Sequence, residues 1–313
     1  MTNKHLAIIV LSYNTKELLE NCLSSIFKAI KNSNAKLLVK VWVVDNNSND
    51  GTETILKSFE RKQKNLSVIY NNKNFGFAEG NNIGIKRAIN DGAGKVMILN
   101  SDTLVKDDFW VSLVNFLDSN SSVGVVTPKI YFAPGHEYHK ERYKSADKGK
   151  VIWSVGAELD WNNILGKNIG INKVDKGQFE KVIKVDFASG CCLMASAETW
   201  KKAGFFDERY FMYYEDNDLC LRVRKLGKEI YYVPRSRVWH LNAGSSSVGG
   251  PIQDYFISRN RMLFGIRWAS LRTKFALVRE SFRLMICGRK WQKIGIKDYY
   301  FSNFGIGSWR KHG

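Results

Sequence analysis

The chain has 313 residues, of which 44% are hydrophobic and 13% aromatic, enough to pack one large α/β domain with an extension or two small domains, and too apolar for a disordered chain. Its 48 Lys and Arg against 30 Asp and Glu leave a formal net charge of +18, which favours nucleic acid, an acidic membrane surface or phosphorylated substrates as partners. The five cysteines form no Cys-x-x-Cys pair, which argues against a disulfide framework and for reduced thiols in a cytosolic protein, and no run approaches the roughly 18 apolar residues of a membrane span.

Met1–His5 leads directly into Leu6–Tyr13, an apolar run of strand rather than signal-peptide length. Lys16–Ile30 has helical spacing, with Leu19, Cys22, Leu23 and Ile26 on one side. Val39–Asp45 reads as a second strand, Asn46–Gly51 as a turn and Thr52–Lys62 as a helix. Leu66–Tyr70 is a third strand, Asn81–Asp91 a helix, Lys95–Leu99 a fourth strand and Asp107–Leu117 a helix. This alternation predicts an α/β fold: a parallel sheet covered on both faces, with ligands at the carboxyl ends of its strands. It stops near Pro128. Ala133–Lys150 reads as a loop, Trp153–Gly170 as hairpins, Val182–Ala195 as strand and Glu198–Ala203 as a short helix. Gln253–Gly288 is helical, amphipathic and basic; from Asp254 onward thirteen Lys and Arg face three Asp and Glu.

Two phosphate-binding signatures are absent. Ser12-Tyr13-Asn14-Thr15, the first strand–helix turn, lacks the glycines of a dinucleotide fingerprint. Gly92-Ala93-Gly94-Lys95 lacks the earlier glycine and the following Ser or Thr of a P-loop. ATPase and dehydrogenase readings are weak on both counts.

Four positions carry candidate chemistry, each with a plainer alternative. Asp45 ends the second strand, where it either accepts hydrogen bonds from a base or ribose or opens the Asn46–Gly51 turn. Asp102, in Asn100-Ser101-Asp102 after the fourth strand, either holds Mg²⁺ or Mn²⁺ against a diphosphate or caps the next helix. Glu215-Asp216-Asn217-Asp218 precedes an apolar helical run, so its acids either complement the helix dipole or present a general base. His240, before the Gly/Ser-rich stretch Asn242–Ser247, is either a metal ligand or structural. Gly76, Gly80 and Gly84 recur every four residues, Gly84 suited to close helix–sheet packing and Gly76 to a loop beside donor phosphates.

In order and context these motifs resemble the inverting family-2 glycosyltransferases. Ile8-Ile9-Val10-Leu11-Ser12-Tyr13-Asn14, Val43-Val44-Asp45-Asn46-Asn47-Ser48 and Asp50-Gly51-Thr52 look like the family's opening. Asn74-Phe75-Gly76-Phe77-Ala78 with Gly80-Asn81-Asn82-x-Gly84 looks like its rhamnosyltransferase-type branch. Leu99-Asn100-Ser101-Asp102 stands in the place of the DxD element, and Ser189-Gly190, Gly204–Glu208, Glu215-Asp216-x-Asp218-Leu219 and His240 complete a series spanning about residues 6–264. The resemblance implies a GT-A fold: a Rossmann-like nucleotide half (about 1–128) merging with an acceptor half (about 129–252), followed by a helical basic extension (253–313). It implies that Asp45 binds the nucleoside, that Asp102 and His240 ligate Mg²⁺ or Mn²⁺, and that Asp216 is the catalytic base. Ser12, Tyr13, Asn14, Asn74, Gly76, Asn82, Asn100 and Ser101 would surround the donor, and Arg259, in Arg259-Asn260 after Tyr255, would hold a donor or lipid diphosphate. Asn100 replaces the first aspartate of stricter DxD enzymes, as this branch tends to.

The implied reaction moves a sugar, L-rhamnose on dTDP first and UDP- or GDP-sugars next, to a lipid-linked or polysaccharide acceptor with inversion, in surface-glycan assembly. The tail's cations (Arg259 to Arg289), interleaved with Leu263, Phe264, Trp268, Phe275 and Phe282, suit a helix lying on an anionic membrane surface. The alternative is a helix packed on the catalytic domain with a solvated basic face. The protein is thus expected in the cytoplasm, peripheral at the inner face of the cell membrane. A sugar-nucleotide pyrophosphorylase is disfavoured by the Ser12-Tyr13-Asn14 turn. Nucleic-acid binding is disfavoured by acids at the ligand edge and by the lack of a recognised module.

Overall fold

The computed structural model describes residues 5–241 and 249–311, so the stretch Asn242–Ser247 lies outside the described residues. Among the described residues twelve strands run in chain order: β1 (Leu6–Ser12), β2 (Val39–Asp45), β3 (Leu66–Tyr70), β4 (Lys95–Asn100), β5 (Thr103–Val105), β6 (Val123–Phe132), β7 (Ile152–Ser154), β8 (Ala157–Asp160), β9 (Leu165–Asn168), β10 (Ile183–Lys184), β11 (Cys192–Ser196) and β12 (Glu229–His240). The helices are α1 (Lys16–Asn32), α2 (Thr52–Lys62), α3 (Gly76–Asn90), α4 (Val111–Ser119), α5 (Ala197–Ala203), α6 (Glu215–Lys225), α7 (Pro251–Trp268), α8 (Leu271–Cys287) and α9 (Lys290–Tyr300).

β1 explains the layering. Successive side chains of a strand point to opposite faces, and here both faces are apolar. Ala7 and Ile9 join one buried cluster with Ala78 and Ile85 of α3, while Leu6, Ile8 and Val10 join another with Leu19, Cys22 and Ile26 of α1. A strand so covered sits mid-sheet with helices on both sides. The sheet runs β10-β12-β6-β11-β4-β1-β2-β3, with β5 on β12 and β7 on β6. β3, β2, β1 and β4 are mutually parallel, as the alternation predicts. β11 then enters antiparallel between β4 and β6, and β12 runs parallel to β6. The fold is mixed α/β around this central sheet, with helices at the C-terminus.

α3 lies very close to the sheet. An added Cβ on Gly84 would sit 2.6 Å from Ile9 Cγ2 and 2.8 Å from Val44 Cγ2, and one on Gly80 2.6 Å from Leu11 Cδ1. The four-residue spacing therefore places two bare backbone patches, one turn apart, against β1 and β2.

Several boundaries differ from expectation, each for a tertiary reason. α3 begins at Gly76, five residues before Asn81, because the Phe211 carbonyl accepts the N–H groups of Phe77 and Ala78 and the Asn74 side chain accepts that of Gly76. α4 begins at Val111 rather than Asp107, since Asp108 is left-handed (φ 57°) and the two aspartates accept hydrogen bonds from Asn32 and Ser33 at the end of α1. The expected Val182–Ala195 strand is two short ones separated by the Ser189-Gly190 turn. The tail is three helices, not one, broken at Ala269-Ser270 and Gly288-Arg289, with Ser270 capping α8. No helix among the described residues is long and apolar enough to cross a membrane.

Candidate active site

A cleft of about 1030 Å³ opens at the carboxyl ends of β1, β2 and β4, the edge where open α/β sheets bind ligands. One wall is polar, made by Tyr13 and Asn14 after β1, Asn46 and Asn47 after β2, and Lys73 and Asn74 before α3. Asparagines brace it: Asn14 Oδ1 accepts from Asn49 N (2.8 Å), while Asn46 donates to Asn74 Oδ1 (3.2 Å) and to the Gly76 carbonyl (3.0 Å). Asp45 does not itself line the cleft. It is buried, with Ser48 donating from Oγ (2.6 Å) and from its N–H (3.1 Å) to the carboxylate, which braces the turn that carries Asn46 and Asn47. Ser12 lies beneath the floor, linked through Thr15 Oγ1 (3.0 Å) to Ser101 Oγ (3.2 Å).

The floor carries Asn100, Ser101 and Asp102. The short β5 pairs antiparallel with the end of β12, setting His240 opposite Thr103 and bringing His240 Nε2 to 3.1 Å from Asp102 Oδ2. Two ligands each about 2.1 Å from one octahedral ion are roughly 3 Å apart, so this pair fits a divalent cation. His240 Nδ1 is buried without a hydrogen-bond partner among the described residues. No group of three or more His, Cys, Asp or Glu gathers here among the described residues, so phosphate and water oxygens would complete the coordination, as is usual for Mg²⁺ beside substrate phosphates.

α6 presents its acids in different ways. Asp218 is fully buried and takes bonds from Arg222 Nε (2.7 Å), Arg267 Nη1 (3.0 Å) and Trp268 Nε1 (2.8 Å), which ties α6 to the C-terminal helices. Among the described residues Asp216 accepts only backbone N–H groups, Gly190 at 2.9 Å and Asn217 at 2.8 Å. Gly190 separates it from the cleft-lining Phe77, since an added Cβ there would be 2.9 Å from that ring and 3.7 Å from Asp216 Oδ2. Burial pushes the Asp216 carboxyl above its ordinary range, against the pull of those two N–H groups. Glu215 is driven higher still by burial and then by the neighbouring Asp216 charge, and its Oε2 has no partner among the described residues. The turn before α6 is strained, with Phe211, Tyr213 and Tyr214 all at positive φ (64°, 68° and 74°), a costly conformation for bulky residues.

Asn82 and Arg259 do not face the cleft. Asn82 is buried and exchanges hydrogen bonds with the Phe206 backbone, 2.9 Å each way, fastening α3 to the segment after α5. Arg259 is fully enclosed and is not placed to hold a diphosphate. Its guanidinium donates to the Gly305 (2.6 Å), Asn303 (3.4 Å), Tyr210 (3.0 Å) and Arg209 (3.2 Å) carbonyls, and Asn260 donates to those of Tyr210, Met212 and Tyr213. Sequence reasoning missed the opposite wall altogether: Arg209, Met212, Phe304, Ile306, Trp309 and Arg310. These residues are split between 209–212 and 304–310, with no local periodicity that would announce them.

The Glycosyl transferase family 2 model matches residues 7–198. The dTDP-rhamnosyl transferase RfbF of Shigella flexneri is 23% identical over 269 residues, covering 83% of this chain and 80% of its own. An N-acetylglucosaminyl-diphospho-decaprenol L-rhamnosyltransferase of Mycobacterium tuberculosis is 45% identical over 62 residues, 20% of each chain. Among solved structures, GalNAc-T7 with UDP, GalNAc and Mn²⁺ aligns with a TM-score of 0.68 at 14% identity, over 95% of this chain and 55% of that one. The mannosyltransferase of Pyrobaculum calidifontis with GDP-Man and Mn²⁺ aligns with a TM-score of 0.56 at 14% identity, over 96% and 75%. This chain thus spans little more than half the length of the first of these structures, and the likeness to both is one of fold.

The placement of Arg259 gives a direct test. Arg259→Met would strip donors from buried carbonyls and should lower unfolding stability by on the order of 3 kcal/mol, read from urea denaturation. Arg259→Lys should recover only part of it, because an ammonium cannot fork between two segments. An unchanged midpoint with weakened nucleotide binding would instead make Arg259 a ligand-binding group.

Proposed function

The chain belongs to glycosyl transferase family 2, and from that premise we propose that it moves a sugar, L-rhamnose first among candidates, from a nucleoside-diphosphate donor to a lipid-linked or polysaccharide acceptor, with inversion at the anomeric carbon. The observation that carries this reading is the meeting of Asp102 and His240, from opposite ends of the sheet's chain path, at the floor of a cleft with an asparagine-lined wall and Asp216 just behind its lining. The nucleoside lies along Tyr13, Asn14, Asn46, Asn47 and Asn74. Asp45 positions the turn that carries two of these. Asp102 and His240 hold a divalent cation, which when bound supplies Lewis-acid neutralisation of the departing diphosphate. Asp216 takes the proton of the acceptor hydroxyl as that oxygen attacks the anomeric carbon. A carboxylate whose pKa is raised by burial is a better proton acceptor than an exposed one, and two backbone N–H groups fix its orientation.

Asp216→Asn should lower transfer by about 10²–10⁴ while leaving donor affinity within a few-fold, since the base acts on the acceptor. In the unaltered protein, kcat/KM should fall on acidification through a pKa above the ordinary aspartate value of about 3.9, because protonation removes the base. A folded Asn variant keeping more than half the activity eliminates Asp216 from the role.

A chelator should stop turnover and Mn²⁺ or Mg²⁺ restore it. His240→Ala should weaken nucleoside-diphosphate binding in the presence of metal and much less in its absence. Full activity in excess chelator sinks the shared-cation model.

The same proposal places the protein at an anionic membrane surface. α8 exposes Leu271 (74%), Phe275 (76%), Phe282 (53%) and Ile286 (75%) beside exposed Arg272, Arg279 and Arg283, the pattern of a helix lying in a lipid interface. Binding to anionic liposomes should fall steeply with added salt, and Arg272, Arg279 and Arg283 changed together to Gln should release the protein. Salt-independent binding, or retention of the triple variant, refutes the surface role.

A further inference from the structure

The C-terminal extension reaches the cleft itself. After α9 the chain turns back, and Phe304, Ile306, Trp309 and Arg310 form the wall opposite the asparagines. The segment is fastened on three sides. Asp298 accepts from Ser308 N (2.8 Å), Ser308 Oγ (2.9 Å) and the Tyr255 hydroxyl, Arg259 binds the Asn303 and Gly305 carbonyls, and the Trp309 ring packs 4.7 Å from Trp291 and 6.0 Å from Tyr255. Gly307 sits so tightly over this hub that a Cβ would lie 2.1 Å from the Tyr255 hydroxyl and 2.8 Å from Asp298 Oδ2. This is a built wall rather than a trailing end.

Its chemistry differs from that of the nucleotide side, being cationic and aromatic. Arg209 forks onto Asp207, which Arg267 also contacts while reaching Asp218, and Arg209 lies over the Phe304 ring. Arg310 is exposed at the cleft. Glu208 is the acid on the same wall. Aromatic surface continues outward: Tyr299 contacts Phe304 (6.4 Å), Tyr300 follows and stacks on Phe282 of α8 (6.0 Å), and Phe301 beside them is 83% exposed. A track of rings thus runs from the cationic rim to the apolar face of α8.

Resting on the reading of the cleft as a glycosyl-transfer site, we infer that this wall is the acceptor subsite: Arg209 and Arg310 take the phosphates of a prenyl-diphosphate-linked acceptor, and the Phe304–Tyr299–Tyr300–Phe282 track carries its hydrocarbon chain to the α8 face. A guanidinium matches phosphate oxygens in charge and planar geometry. A chain leaving along α8 also keeps the diphosphate at the cleft while the tail stays in lipid.

Binding to the full-length chain tests this without turnover, using geranylgeranyl diphosphate, geranylgeraniol and dimethylallyl diphosphate, with a nucleoside diphosphate plus Mg²⁺ as the donor-side control. The diphosphate should bind at least about tenfold tighter than the alcohol, and Arg310→Gln should remove about tenfold of that, with Arg310→Lys recovering part. Phe282→Ser with Tyr300→Ser should weaken the long prenyl diphosphate more than the short one. Nucleoside-diphosphate affinity should be unchanged in every variant. Equal binding of alcohol and diphosphate, insensitivity to Arg310→Gln, or loss of nucleoside-diphosphate affinity in that variant overturns the assignment, the last by giving the wall to the donor. Failure of the unaltered protein to bind any nucleoside diphosphate defeats the glycosyl-transfer reading instead, while the prenyl-diphosphate comparison still decides the fate of this wall.

Discussion

The wall of the cleft opposite the asparagines exists because one buried guanidinium joins its two segments. Arg259 takes carbonyls from the turn after α5 and from the segment after α9, stretches separated by most of the C-terminal extension. Neither segment has a ladder of its own to satisfy those oxygens, and an unpaired buried carbonyl is costly. Arg and its neighbour Asn260 supply a cluster of donors from a single helical turn, and the strained 211–214 backbone is held where it would not rest by local preference. Removing the C-terminal helices would therefore take away part of the site, not merely an appendage.

The acids of α6 illustrate how position in a fold separates roles that composition cannot. Asp218 is saturated by Arg222, Arg267 and Trp268, and works as a bolt between helices. Asp216, two residues away on a different face, accepts backbone amide hydrogens alone among the described residues and lies against Gly190. The first has its charge neutralised by cations; the second has its charge penalised by burial and kept available.

What could be read ahead of the structure was whatever depends on local periodicity or on short motifs. The parallel half of the sheet and the close packing of α3 at Gly84 were legible in this way, whereas Asp102 and His240 were linked only through the family resemblance. What escaped depends on partners far along the chain. The start of α3 is set by the Phe211 carbonyl, Arg259 was read as a ligand group when its partners are backbone oxygens, and the bonds of Asp45 to Ser48 brace its own turn. The Trp309 wall could not be seen because its residues are brought to the cleft by Asp298 and Gly307, whose sequence surroundings give no hint of it.

The seal at the head of α3 has a last consequence. Nucleotide-binding α/β folds commonly cradle phosphate on the free amides at a helix's positive end. Here the amides of Gly76, Phe77 and Ala78 are consumed by Asn74 and by the Phe211 carbonyl, so that end of the dipole is closed to an anion. Neutralising a diphosphate then falls to side chains and a cation at the floor. The strained turn carrying Phe211 is also electrically latched: it cannot lift away without baring two amide donors at a helix's positive end.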